Sequence, residues 1–353
     1  MSRRLVIWIF LLIILVALVV SAAASGGGTG TDLAAPLSED GVTYSGTTVQ
    51  DGDGDSRVAI VPIYNAIVDG DSPADGSATG GDDVVRLLDA IADDEDSWDG
   101  VILELDTPGG SVLASEEITD ALERLKEETE LPVLAWMRGT AASAGYYISA
   151  PTDRIVASQH TFTGSIGVIL EYYVVQELAD EIGVKAVTIK SGELKDIGNP
   201  FRQETPEERR LFQELIDEAY DQFVDVVSEG RDLSEAKVRE LADGRIYTGK
   251  QAEELGLVDT LGLRREAYEE MAKLIDDGDE GDDLDVVTYS RAYGFLESLA
   301  AGAEPTLDTL ATAKAVGGVL RGDSASIGAL ASAPGSRRLG DGFARLEYRA
   351  ELG

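Results

Sequence analysis

The sequence predicts an α/β fold on a largely parallel sheet, and three observations carry that expectation. Apolar runs of strand type alternate with segments of helical spacing at intervals of roughly forty residues, as βαβ units with right-handed crossovers do. The 353 residues are 44% apolar and 27% charged, a globular composition with material for one large domain or two. Zero cysteines and a single histidine, His160, exclude disulfide scaffolds, thiolate zinc sites, cysteine nucleophiles and multi-histidine metal sites. No cofactor or metal is expected.

The elements follow in order. Residues 58–63 (VAIVPI) read as a strand, and 82–92 have helical spacing through Val84, Val85, Leu87, Leu88 and Ile91. Residues 101–105 are a second strand with a helix at 115–127, and 132–137 a third strand, again followed by a helical segment. Strand-like pieces recur at 154–157 and 184–189. Helices are expected at 207–229 and at 234–241, the second with Ser234 as its N-cap. An acidic run at 276–285 closes the compact part, 286–289 supply one late strand, and the Ala/Gly-rich stretch 300–353 reads as a mostly mobile tail.

The amino terminus reads as a targeting segment. Arg3 and Arg4 precede residues 5–24, twenty residues without a charge. At 1.5 Å per residue such a helix spans about 30 Å, the thickness of a hydrocarbon core. The next charge is Asp32, so the charge rule places the N-terminus in the cytoplasm and the body outside the cell. Ala22, Ala23 and Ala24 also offer a signal-peptide cut, but the apolar run exceeds the usual length for one, which favours an uncleaved anchor. Residues 26–56 are rich in Gly, Ser, Thr and Asp and read as a flexible linker. Asp51, Asp53 and Asp55 resemble the start of a calcium loop, yet Pro62 stands where the closing Glu is required. The chain thus divides into an anchor at 1–25, a linker at 26–56, a catalytic body at 57–275 and a trailing region at 276–353.

Sixty-six acidic against 29 basic side chains give a net charge of −37, which repels phosphate backbones and excludes nucleic-acid binding by counterion release. The basic residues comprise 21 Arg and only 8 Lys. High acidity with scarce lysine suits a surface kept soluble in concentrated salt, where the Debye length falls to about 3 Å. A halophilic source, an archaeon, is the expectation.

Reactive groups in parallel α/β folds gather at the carboxyl ends of strands. Three such ends are unusual here: Asp106-Thr107-Pro108-Gly109-Gly110-Ser111, then Arg138-Gly139-Thr140-Ala141-Ala142-Ser143-Ala144-Gly145-Tyr146-Tyr147, then Lys190-Ser191-Gly192-Glu193-Leu194-Lys195-Asp196. Paired glycines expose backbone N–H groups that suit an oxyanion, though alone they are also a tight turn. A serine framed by Ala and Gly at a strand-to-helix junction sits where free N–H groups point, though alone it is also a cap.

Together with Thr163-Gly164-Ser165-Ile166-Gly167-Val168 and Ala242-Asp243-Gly244-Arg245-Ile246-Tyr247-Thr248-Gly249, these motifs resemble the signal peptide peptidase A family, in order over about residues 57–265. The resemblance implies a crotonase/Clp-like ββα superhelix and a membrane-anchored serine peptidase acting on cleaved signal peptides, with one copy of the repeating unit. It implies Ser143 as nucleophile, Lys195 as general base and Ser165 as the residue orienting the lysine. Backbone N–H groups of Gly109, with Gly110 the near alternative, and of Ala144 form the oxyanion hole. Ala144-Gly145 departs from the Gly-Gly of many members. Lys190 and His160 are the rival bases; the resemblance assigns neither a role. A lysine base must lose a proton it normally holds to a pH near about 10.4, which burial can achieve.

The resemblance to one-copy members also implies that the lysine comes from a neighbouring subunit, in a ring-shaped homo-oligomer with shared sites. Tyr146, Tyr147, Ile166 and Val168 are expected to line an apolar groove for the peptide. A crotonase-like acyl-CoA enzyme and a non-catalytic membrane scaffold would share the fold. The first needs no exported, anchored body, and the second would lack one of Ser143 and Lys195, both of which are present.

Overall fold

A computed structural model describes residues 33–52, 54–275 and 280–293. The expected anchor at 1–25 and the expected mobile tail lie outside the described residues. Among the described residues, no helix is long and apolar enough to cross a membrane.

The strands are β1 (Leu33–Glu39), β2 (Val42–Gln50), β3 (Arg57–Tyr64), β4 (Ala66–Val68), β5 (Ala78–Gly80), β6 (Gly100–Thr107), β7 (Val133–Ala142), β8 (Arg154–Ala157), β9 (Phe162–Gly164), β10 (Ile246–Thr248), β11 (Thr260–Leu261) and β12 (Asp285–Arg291). The helices are α1 (Gly81–Asp93), α2 (Val112–Thr129), α3 (Ala144–Ser149), α4 (Gln176–Glu181), α5 (Pro206–Gly230), α6 (Glu235–Leu241), α7 (Gly249–Glu254) and α8 (Arg264–Ile275). The main sheet runs β1-β2-β12-β3-β6-β7-β8-β11, with the centre from β12 through β11 parallel.

Alternation along the central strands builds two cores. Ala59, Val61 and Ile63 of β3, Val101, Leu103 and Leu105 of β6, and Val133, Ala135 and Met137 of β7 face α1, α2 and α3. Val58, Ile60, Ile102, Leu134, Trp136 and Val156 face the other way, against Ala267, Tyr268 and Met271 of α8. Cover on both faces is why these strands read as unbroken apolar runs. The long helix α5 starts from a capping box, in which the Thr205 hydroxyl accepts from the Glu208 N–H and the Glu208 carboxylate accepts from the Thr205 N–H. Ser234 caps α6 as expected, its hydroxyl accepting from the Lys237 N–H.

One feature of β7 sets up the site. Its first half pairs with β8, Leu134 opposite Arg154, and its second half pairs with β9, Ala142 opposite Gly164. β9 pairs in turn with β10, antiparallel. The end of β7 is therefore braced by a second, smaller set of strands just where Ser143 follows.

Two expectations are corrected. Residues 33–50 are not a flexible linker but two antiparallel strands, because β12 supplies a partner for β2 from the far end of the sequence. Tyr44 of β2 is buried and donates its hydroxyl to the Asp83 carbonyl at 3.0 Å, while Tyr289 of β12 packs edge-on against Trp98. The expected late strand is β12, longer than its apolar core suggests. Residues 184–189 form no strand: none of the described strands pairs with them, and Val187 and Ile189 are 84% and 97% exposed.

Asp83 ties this edge together. Its carboxylate accepts from the Ser72 N–H at 2.8 Å and pairs with Arg86 at 2.7 Å and with Arg291 of β12 at 2.9 Å. Burial pushes its carboxyl up, but the hydrogen bonds from Arg86, Ser72 and Arg291 outweigh that and hold it below the usual carboxylate range. A depressed folded-state value gives stability that is fully present above about pH 4 and lost as pH falls through the folded value. Asp83→Ala is expected to cost about 1–3 kcal/mol in urea denaturation at neutral pH, by leaving Arg86 and Arg291 to share the more exposed Asp71. The same variant should lose less further stability than the parent when the pH is taken below 4.

Candidate active site

Ser143 stands between β7 and α3 with φ +54° and ψ −119°. That pair is the first corner of a type II′ turn, a conformation that glycine adopts freely and a side chain resists. Neighbours hold it there. The Ser143 N–H donates to the Gly164 carbonyl at 2.9 Å, and its own carbonyl accepts from Tyr146 and Tyr147 N–H at 2.8 and 2.9 Å, closing the first turn of α3. The serine is half-buried, whereas Ala144 through Ser149 are all buried.

The glycines beside it are demanded by contact. Gly109, at φ +105°, lies so close that a Cβ there would meet the Ser143 Cβ and the Ala142 carbonyl at 2.8 Å and the Ala144 nitrogen at 3.0 Å. At Gly145 a Cβ would stand 2.7 Å from Thr107 Cγ2. The position with no room for a side chain is thus Gly145, and Ala144 is accommodated, which accounts for the Ala-Gly order.

The amides of the glycine pair differ. The Gly109 N–H donates to the buried Thr107 hydroxyl at 3.1 Å, and its carbonyl accepts from the Ile67 N–H at 3.0 Å. Gly110 sits in a parallel bridge with Ile67 whose bonds use the groups flanking it, so its own N–H points the other way. Among the described residues, the N–H groups of Gly110 and Ala144 have no acceptor. Ser165, at φ +49°, follows the glycine whose carbonyl anchors Ser143, and its N–H donates to the Arg245 carbonyl at 2.8 Å. Thr107, Gly164 and the Arg245 carbonyl are supports that sequence reading missed; the Thr-Gly before Ser165 is the one signal that pointed toward them.

The structure thus brings Ser143, Gly109, Gly110, Ala144 and Ser165 into one neighbourhood. It does not bring Lys195 to them within the chain. Lys195 lies on a 3₁₀ turn, Glu193–Asp196, and is exposed; its backbone N–H donates to the Gly192 carbonyl at 3.2 Å, and its ammonium has no hydrogen bond or ion pair among the described residues. Lys190 is engaged: its ammonium donates to the Glu193 carbonyl at 2.6 Å and to Asp196 Oδ1 at 2.7 Å. His160 is exposed on the turn before β9. Among the described residues, no group of His, Asp or Glu is arranged to hold a metal ion.

The expected groove is corrected as well. Tyr146 is fully buried and donates its hydroxyl to the Leu257 carbonyl at 2.9 Å, Tyr147 packs against Phe223, and Ile166 is buried. Burial pushes the Tyr147 hydroxyl up to about 12, so it stays neutral. These are core side chains: α3 is buried along its whole length, and Ile166 packs into the same core after β9. The exposed apolar residues beside the site are Val112 and Leu113, directly after the glycine turn, and Phe162 on β9.

The profile of peptidase family S49 matches residues 125–276, a span that includes Ser143, Ser165 and Lys195. A protein of Enterococcus faecium named as a signal peptide peptidase is 44% identical over 174 residues, covering 49% of this chain and 50% of that protein. A protein of Methanocaldococcus jannaschii named as a protease is 41% identical over 190 residues, covering 54% and 60%. A protein of Synechocystis named as a protease is 39% identical over 218 residues, covering 62% of this chain and 74% of its own length. The chain therefore spans between half and three quarters of these relatives.

The strain at Ser143 has a measurable size. Placing glycine there relieves about 1–3 kcal/mol of backbone strain and gives back about 0.5–1 kcal/mol through the freer unfolded chain. Ser143→Gly is expected to raise stability by about 1 kcal/mol, read as a higher urea midpoint at unchanged slope, whereas Gly109→Ala should lower it.

Proposed function

The chain belongs to peptidase family S49, and on that premise we propose that it is a membrane-anchored serine endopeptidase that cleaves residual signal peptides through a Ser143–Lys195 dyad. The observation that carries the reading is the Ser143 corner itself: a hydroxyl held at a strained strand-to-helix turn, beside two backbone N–H groups with no other acceptor.

The chemistry follows from those groups. A neutral Lys195 amine takes the proton as the Ser143 oxygen attacks the scissile carbonyl, and the oxyanion accepts from the N–H groups of Gly110 and Ala144. Gly110 is preferred to Gly109 because the Gly109 N–H is already committed to Thr107. Each such donor is worth roughly 3 kcal/mol in the transition state. Collapse hands the proton to the leaving amine, and the lysine then activates water against the acyl-enzyme. Ser165 orients the lysine.

Lys195 is taken to come from a neighbouring copy, in a closed ring with heterologous contacts. The exposed lysine supports this, as do the exposed apolar side chains of the same segment, Ile169 at 87%, Val187 at 84% and Ile189 at 97%. Burial by the neighbour would lower the lysine pKa, so activity depends on assembly. The uncharged residues 5–24 would anchor the chain with its catalytic body outside the cell, and the acidic balance suits work in concentrated salt.

The test uses an apolar signal-peptide fragment and a fluorophosphonate label. Ser143→Ala and Lys195→Ala should each lose at least about 10⁴-fold in kcat, and only Ser143→Ala should lose the label outright. Mixing the two inactive proteins under conditions of demonstrated subunit exchange should restore up to roughly a quarter of parent activity, since that fraction of sites pairs an intact serine with an intact lysine. No recovery would assign the dyad to one chain. Full activity of both variants would remove the mechanism.

A further inference from the structure

The turn that carries Lys195 is tied to the body through the residue after it. Asp196 Oδ1 accepts from Arg202 Nη2 at 2.9 Å and Oδ2 accepts from Arg202 Nε at 3.0 Å, a two-pronged contact, and Arg202 Nη2 also donates to the Asp196 carbonyl at 2.9 Å. The same guanidinium reaches the other way. Its Nη1 donates to Glu208 Oε2 at 2.8 Å, and its Nη2 is also bonded to Glu208 Oε1. Glu208 is 1% exposed and belongs to the capping box of α5, where it accepts from the Thr205 N–H at 2.8 Å. Lys190 closes the turn from its other side through Asp196 and the Glu193 carbonyl.

We propose that Arg202 is the positioning residue for the base, fixing the turn that presents Lys195 to the first turn of α5 by bridging Asp196 and Glu208. The proposal rests on Lys195 being the base. The segment from residue 166 to 204 has little regular structure of its own, only α4 and the 3₁₀ turn, so without this bridge the lysine would ride on an exposed loop. Placement matters because a displacement of about 1 Å at a reacting group can cost 10²-fold in rate. Only arginine fits the position, since one planar guanidinium meets two carboxylates at once and an ammonium cannot fork.

The bridge has a second consequence. Hydrogen bonds from Arg202 and then Lys190 hold the Asp196 carboxyl well below its usual range, and Arg202 with the Thr205 N–H holds Glu208 down at about 2. Both acids stay ionised across the working range and contribute no limb to a pH profile there. The charged groups about the turn are Lys190, Glu193, Asp196, Arg202 and Glu208. Removing Arg202 frees part of the Asp196 carboxylate to pair with the adjacent Lys195, and such an ion pair stabilises an ammonium over an amine. Since the base acts neutral, the acid limb of kcat/KM then moves to higher pH.

The experiment compares Arg202→Ala, Arg202→Lys, Glu208→Gln and Lys195→Ala in the full chain, with kcat, KM, pH profile and melting temperature measured for each. Arg202→Ala is expected to lower kcat by about 10- to 100-fold with KM within about threefold, and to move the acid limb upward. Arg202→Lys should recover only part of kcat. Glu208→Gln should lower kcat about fivefold or more with the limb unmoved, because Asp196 keeps its arginine. If Arg202→Ala does not fold, the other two variants decide by the same readings. Parent-like kcat in Arg202→Ala or in Glu208→Gln overturns the proposal, and so does a loss in Arg202→Ala that tracks melting temperature with the limb unmoved. An inactive Lys195→Ala beside a fully active Arg202→Ala removes the bridge alone, whereas an active Lys195→Ala removes the dyad on which it rests.

Discussion

Ser143 occupies a backbone conformation better suited to glycine, and β7 cannot pass into α3 any other way. The reason lies in packing on both sides of the corner. Upstream, β7 is fixed in the sheet and its last residues are held by β9. Downstream, Gly145 is pressed against Thr107 and Tyr146 reaches the Leu257 carbonyl, so the axis of α3 is set by the core. The reversal must occur within one residue, and the side chain there is forced outward from both elements. Strain of this kind persists only where the surroundings over-determine it, and here the Gly164 carbonyl and the Gly109 approach do so. The same crowding leaves the next amide without an acceptor. Reactive hydroxyl and free N–H groups are two results of one constraint.

Much of this was legible in the sequence because it is local. Strands buried on both faces write themselves as runs such as 58–63 and 101–105, and Ser234 announces its helix by a cap. The Gly109-Gly110 pair and Ser143 each read equally well as a turn or a cap, and they stood out as a candidate site only because several separated motifs agree with one family. What was not legible depends on partners distant in the chain. Residues 33–50 look like a linker by composition, and only β12 turns them into a sheet edge. The short strands β9 and β10 are too brief to leave a period. Tyr146, Tyr147 and Ile166 look like groove residues from their motifs near Ser143, but the direction of a side chain on a six-residue helix, or just after a three-residue strand, is set by the core, which the sequence near it does not display. The choice between Gly109 and Gly110 needed the hydroxyl of Thr107.

The 184–189 segment is a different kind of miss. Its apolar character is real, but a strand needs a neighbour, and within the chain none of the described strands offers one. Exposed Ile169, Val187 and Ile189 on a chain of net charge −37 mark this region as unlike the rest of the surface. The two proposed halves of the dyad are therefore held differently: Ser143 at the end of β7 by packing, and the open turn bearing Lys195 mainly by charge.

That split explains why charge is spent so specifically around the lysine. In a chain with 66 carboxylates and 29 basic groups acidic partners are plentiful, and Lys126, Lys190, Lys237 and Lys273 each take one, whereas Lys185, Lys195 and Lys250 take none among the described residues. An ion-paired lysine is a poor base, because the carboxylate holds its proton in place. The carboxylate nearest to Lys195 in the chain is that of Asp196, and it is already saturated by Arg202 and Lys190. On the proposed dyad, the bridge to α5 would do two things with one side chain: fix the turn in space, and keep the adjacent acid from claiming the proton that a Lys195 base gives up. Neither task is achieved by burial, which the open half does not provide within a single chain, and so the arginine stands in for the packing that holds Ser143.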